Sequence, residues 1–206
     1  YVLLELSVPG QDAVSEAEAR AQAALEDLLG TALEAGHALD AALSTSLAQF
    51  QALWALRENI SEAQGAEGRT IKHDISVPVS RFAAFIEHTD AAIAQAFDGV
   101  RLAVFGHLGD GNLHYNLSPA VGRTGAEHAA AFTALEGPLN RLVHDAVAAH
   151  DGSISAEHGL GVLRRDESAR YKSAVELRLM QTIKQALDPL GLMNPGKLLP
   201  PSGATA

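Results

Sequence analysis

The chain has 206 residues, of which 47% are hydrophobic, 19% charged and 5% aromatic, a balance that belongs to globular domains and excludes the disordered and collagen-like classes. Fifteen basic residues against twenty-five acidic ones give a net charge of −10, which argues against a nucleic-acid backbone or an anionic lipid surface as the main partner. Cysteine is absent, so disulfides and thiolate metal sites are excluded and any metal must be held by His, Asp or Glu.

Residues 1–8 read as a strand and begin without methionine, so the expectation is a fragment of a longer chain, folded as one domain over 1–206 by default, with two small domains left open. Val14, Ala17, Ala21, Ala24, Leu25 and Leu28 recur at helical spacing and predict a helix to about residue 33. A second helix is predicted over 46–61, followed by a loop to 69. Residues 70–77 alternate, with Ile71, Ile75 and Val77 on one face and Lys72, Asp74 and Ser76 on the other, as in a half-buried strand. Helical spacing returns over 79–97 and a hairpin is predicted over 101–118. Residues 126–150 read as a helix with a break at Gly137-Pro138. After a short extended piece at 153–156, a last helix over 166–187 is expected to pack through Val175, Leu179, Met180 and Ile183 until Asp188-Pro189 closes it, and 201–206 are expected to fray. Paired strands among long helices, without a glycine-rich strand–turn–helix, predict an α+β fold with an antiparallel sheet covered by helices on one face. No apolar run reaches the roughly 18 residues of a membrane span and the first residues given do not read as a basic-then-apolar leader, so the expected location is cytoplasmic.

Three segments carry candidate chemistry. In GHLGDGNLH, Asp110-Gly111 suits a two-residue type I′ turn, which would set His107 directly opposite His114, close enough to share a metal ion, with Asn116 on the same face. Two solvated histidines on a hairpin are the alternative. In GSISAEHGLG, Glu157 could be an anionic third ligand and His158 a base, or the glycines could merely turn the chain. Arg57 and Ser61, four apart on a predicted helix, and Lys72 on the polar side of its strand could clamp a carboxylate, or be ordinary surface residues. The other six histidines, His73 on an apolar strand face among them, are expected to serve packing or the surface.

GHLGDGNLH, SAEHGLG and the closing DPLGLMNPGKLLP resemble the C-terminal domain of FAD-linked oxidases and dehydrogenases of the vanillyl-alcohol-oxidase type, most nearly the branch acting on D-2-hydroxyglutarate, D-lactate and glycolate. The likeness runs from about Trp54 to Pro200. It implies that His107, His114 and Glu157 are ligands of a divalent metal, zinc or manganese, that Arg57, Ser61, Lys72 and Asn116 contact substrate, and that His158 lies beside substrate and flavin as the base. Ser61 stands where threonine is common. The resemblance further implies that the N-terminal FAD-binding domain is missing here, so the isolated domain is expected to be inactive. Its partners would be a small 2-hydroxy acid, that FAD-binding domain and a downstream electron acceptor, with a homodimer left open. A free-standing metal- or acid-binding module and a metal-dependent hydrolase stay open beside this reading.

Overall fold

The structure is a computed structural model that describes residues 1–7, 14–123 and 125–199. Its two compact units meet in sequence between Glu67 and Gly68. No described helix is long and apolar enough to cross a membrane.

The first unit carries α1 (Val14–Glu34), α2 (Leu47–Glu58) and α3 (Ile60–Ala66). Ser46 caps α2 by accepting from the Gln49 N–H at 3.3 Å, which satisfies one of the orphan donors of a first turn. The single helix expected over 46–61 is broken at Asn59, and the expected loop is occupied by α3. Asparagine is a poor interior helix residue, whereas the Glu-Ala-Gln run after it propagates a helix well. The strand expected over 1–8 is not formed at 1–7, and Val8 lies outside the described residues. Instead Trp54 Nε1 donates to Glu5 Oε2 at 2.9 Å.

The second unit contains every fully buried apolar residue described, from Ile71 to Ile154. Its elements are β1 (Asp74–Ser76), α4 (Phe82–Ala96), β2 (Val100–His107), β3 (Asn112–Pro119), α5 (Ala126–Ala134), α6 (Glu136–Ala149), α7 (Gly161–Tyr171) and α8 (Ala174–Leu187). The strands form one antiparallel sheet in the order β1-β3-β2, which makes the fold α+β as expected. Alternation divides the sheet cleanly. Ile75, Leu113, Tyr115 and Leu117 face Phe85 and Ile93 of α4 and Leu139, Val143 and Val147 of α6 in one apolar core. The opposite face carries Lys72, Asp74, Asn112, His114, Asn116, Phe105 and His107, because Asp74 pairs with His114 and Phe105 with the same residue.

Three expectations need correction. The hairpin does not turn on two residues: Leu108–Asp110 form a 3₁₀ turn closed by Gly111 at φ +73°, and His107 pairs with Asn112 rather than His114. Asp110 accepts the Asn112 N–H at 3.0 Å, a local bond that favours the longer loop over the tight turn. The break expected at Gly137-Pro138 in the helix over 126–150 does occur but falls earlier, at Leu135, because Pro138 has no N–H to continue the ladder of α5. The last helix also is two: α7 starts early at Gly161, and Ser173 restarts α8 through a capping box with Glu176. The stripe of Val175, Leu179 and Ile183 on α8 is more than half exposed, and only Met180 is partly buried. Its amphipathic spacing announces a face suited to burial without naming what buries it. Asp188 caps α8 as expected.

Gly111 tests how tightly this hairpin is specified. Its left-handed backbone and the carbonyl of Val77, on which any Cβ would fall, predict that Gly111→Ala destabilises the protein by at least about 2 kcal/mol. Gly109 in the same loop has open space around it, so Gly109→Ala should stay within about 0.5 kcal/mol of the parent. Urea unfolding of both variants measures the contrast, and equal effects would contradict the loop geometry.

Candidate metal and substrate site

β1 is an edge strand, and the chain from Gly152 to His158 runs along its open side. Ser153 and Ser76 exchange backbone bonds of 2.8 and 3.0 Å, and the Ala156 N–H donates to the Asp74 carbonyl at 3.1 Å. Gly152 is needed for this approach, since a Cβ there would meet the Ser76 carbonyl and the methyls of Val147 and Val77. The glycine therefore serves contact within the protein.

The segment then turns around the Asp74 carboxylate. Asp74 Oδ2 accepts from the backbone N–H groups of Glu157 at 2.9 Å and His158 at 2.8 Å, a pair of consecutive amides that forms an anion nest. The imidazole of His158 brings Nδ1 to 3.6 Å from the same oxygen, and His114 Nε2 lies 3.9 Å from Glu157 Oε2. Exposure is graded across the group: the side chains are 4% exposed for Asp74, 20% for His114, 52% for Glu157 and 72% for His158. One ligand atom each from Asp74, His114 and Glu157 lies within 4.8 Å of the others. Burial on its own would raise the Asp74 carboxyl, but the amides of His158 and Glu157, with the imidazoles of His158 and His114, hold it below the usual carboxylate range.

Arg164 of α7 ties the segment to β1 from beside it, donating to the carbonyls of Ile154 at 3.2 Å and Lys72 at 3.0 Å. Its Nη1 also meets His144 Nε2 at 3.0 Å. A guanidinium only donates, so His144 Nε2 accepts and its Nδ1 faces Glu167 at 3.4 Å. His144 packs edge-on against His73, with ring centroids 5.5 Å apart, and His73 Nδ1 donates to the Tyr115 carbonyl at 2.8 Å. Burial pushes His73 down to about 4, against the raising effect of that carbonyl, and lowers His144 as well. Both imidazoles are neutral packing residues at pH 7, as expected for His73.

The expected site residues fall into three groups. His114, Glu157 and His158 come together around Asp74. Lys72, Asn116 and His107 share their sheet face: Lys72 is exposed, Asn116 is buried and accepts the His73 N–H at 3.3 Å, and His107 is exposed at the loop end of β2. His107 remains on the face of His114, one pair nearer the loop, while Phe105 fills the position directly across, its ring 4.9 Å from the imidazole. Arg57 at the end of α2 and Ser61 in α3 belong to the first unit and lie on two helices instead of one. Sequence reasoning passed over Asp74 and Arg164. A carboxylate is unusual in a strand, and that was the available signal for Asp74.

The model of the FAD linked oxidases, C-terminal domain, matches residues 3–198. The chain belongs to this FAD-linked oxidase family. It is 41% identical to a D-2-hydroxyglutarate dehydrogenase of Xanthomonas citri pv. viticola, covering 96% of this chain and 39% of that protein. It is 38% identical to one of Stutzerimonas stutzeri, over 90% of the chain and 40% of the relative. The mitochondrial D-2-hydroxyglutarate dehydrogenase of Rattus norvegicus is 37% identical, over 97% and 34%. This FAD-linked oxidase domain thus spans about two fifths or less of the length of the relatives it matches.

The buried histidines of the oxidase domain make a pH prediction. His73 is ordinarily protonated near pH 6.5 when unfolded and near 4 when folded, so between those values only the unfolded chain takes the proton. Stability is then full above about pH 6.5 and falls as the pH drops toward 4, at up to about 1.4 kcal/mol per unit for one such group. Urea unfolding across pH 7 to 4.5 should show this slope, and His73→Phe should flatten it. An unchanged slope in the variant would mean that His73 is not the group being titrated.

Proposed function

We propose that this chain is the substrate- and metal-binding domain of a flavin-dependent D-2-hydroxy acid dehydrogenase, which oxidises a small 2-hydroxy acid to the 2-oxo acid. The observation that carries the reading is the gathering of Asp74, His114, Glu157 and His158 on one sheet face, in a member of a family of FAD-linked oxidases whose relatives bear the name D-2-hydroxyglutarate dehydrogenase. A divalent ion suits these residues: Asp74 Oδ1 is buried without a hydrogen-bond partner, and imidazole with carboxylate is a donor set favoured by zinc and manganese. The resemblance assigns the ion to His107, His114 and Glu157. FAD would be held mainly by a separate FAD-binding domain, with the exposed His158 presented toward substrate.

When bound, the ion supplies polarisation of the substrate hydroxyl and carboxylate, and FAD supplies the acceptor for the α-hydrogen with its electron pair. The residues of the chain do the rest. His158 takes the hydroxyl proton, and Asp74, 3.6 Å from its Nδ1, stabilises the imidazolium that results. Lys72 on the same face binds the substrate carboxylate as a point charge. Asn116, anchored to the backbone of His73 just before β1, lines the face beside it. Arg57 and Ser61 are assigned a share in substrate binding on the resemblance alone.

The test uses the full-length protein with FAD, a panel of D-2-hydroxy acids and a dye as electron acceptor. Turnover to the 2-oxo acid is expected. His158→Ala should lower kcat by about 100-fold or more, whereas Lys72→Ala should act chiefly on KM. Absence of turnover on every 2-hydroxy acid would sink the proposal, and similar small effects for both variants would move the site elsewhere.

A further inference from the structure

We infer that Asp74 is itself a metal ligand, its Oδ1 completing a donor set with His114 and Glu157 for one first-row divalent cation. The inference rests on the metal reading above and adds a residue that the resemblance does not assign.

Three observations carry it. One carboxylate oxygen of Asp74, one ring nitrogen of His114 and one carboxylate oxygen of Glu157 already lie within 4.8 Å of one another, close to the roughly 4.4 Å that at most separates two ligands held about 2.0 to 2.2 Å from one ion. Asp74 is almost wholly buried, yet Oδ1 has no hydrogen-bond partner, and a buried carboxylate oxygen left bare is costly. A second aspartate in the same unit shows what the chain does when a carboxylate is purely structural. Asp188 is also buried; its Oδ1 accepts the Leu192 N–H, and its Oδ2 accepts the Met193 N–H and the Lys184 ammonium. Both Asp188 oxygens are satisfied, whereas only one of Asp74's is.

The two amides on Oδ2 also fix the carboxylate, so Oδ1 is preorganised for a cation before one arrives. Two carboxylates and one imidazole leave the centre suited to a divalent cation such as zinc or manganese. The same bonds make Asp74 the brace of Glu157, so binding and bracing must be separated in the test.

The experiment uses the full-length protein stripped of metal with a chelator. Calorimetric titration with zinc and with manganese should give about one ion per chain for the parent. Asp74→Asn retains an oxygen for the two amides and replaces the other with a donor. It should bind at least about 10-fold more weakly while its melting temperature in chelator stays close to that of the parent. Cobalt loading should give a visible absorption spectrum that differs between the two, since loss of a ligand changes the coordination number. Crystals of the metal-loaded parent, which need no variant, should place Asp74 Oδ1 about 2.0 to 2.2 Å from the ion. Equal affinity and an unchanged cobalt spectrum in Asp74→Asn, or an ion beyond reach of Oδ1, would overturn the inference and leave the metal reading standing. A parent that binds neither ion would overturn both.

Discussion

The carboxylate of Asp74 joins the two parts of the candidate site. Its backbone belongs to β1 and pairs with His114 on β3, while its side chain gathers the amides of Glu157 and His158 from a segment more than eighty residues on. Three groups that could bind or move charge are thereby placed around one anchor. Burying a carboxylate is unfavourable unless its oxygens are met by donors; here the two amides meet Oδ2, and Oδ1 is left without a protein partner. The turn at 157–158 follows the charge, and Arg164 holds it from the other side through two backbone carbonyls. Burial lowers the Arg164 pKa and the Asp74 charge acts against that lowering, so the strut and the anchor support one another electrostatically.

The sheet allows this because its two faces have separate tasks. Odd-numbered positions of β1 and β3 enter a core closed by α4 and α6, and even-numbered ones project to the polar face. A polar residue on the core side has to be neutral and internally bonded. His73 is neutral and donates from Nδ1 to the Tyr115 carbonyl, while its buried Nε2 has no hydrogen-bond partner; His144 is met at both ring nitrogens, by Arg164 and Glu167. The pair packs ring against ring between the core and β1 and adds no charge behind Asp74 at pH 7. Repulsion or attraction felt by Asp74 then comes mainly from its own face and from Arg164.

Much of this arrangement is legible in the amino-acid pattern, because period-two alternation is a local signal. It correctly puts Ile71, Ile75 and Val77 inward with His73, and Leu113, Tyr115 and Leu117 opposite them. What local pattern does not decide is how far the hairpin loop extends. Asp110-Gly111 suits a tight turn, but Asp110 spends its side chain on the Asn112 N–H and Gly111 lies against Val77, just beyond the end of β1. The stripe on α8 fails for a related reason, since spacing marks an apolar face and says nothing about its cover. Asp74 falls on the correct face by alternation but acquires no role from it, because its partners at 157 and 158 are joined to it only through the tertiary fold.

The loop correction bears on the metal set in a limited way. Moving the register by two residues keeps every side chain on its face, whereas a shift of one would have inverted the strand. His107 therefore still shares a surface with His114, although Phe105 stands directly across from it. The resemblance assigns His107, His114 and Glu157 to the ion, whereas the structure gathers His114 and Glu157 with Asp74, the donor inferred above. β2 would supply the third donor as His107, exposed at a loop end; β1 would supply it as Asp74, buried and already oriented. A donor held in place before binding loses less freedom on binding, which is why the buried carboxylate is the better anchored of the two, and why a centre using both would draw its ligands from all three strands and the segment along the sheet edge.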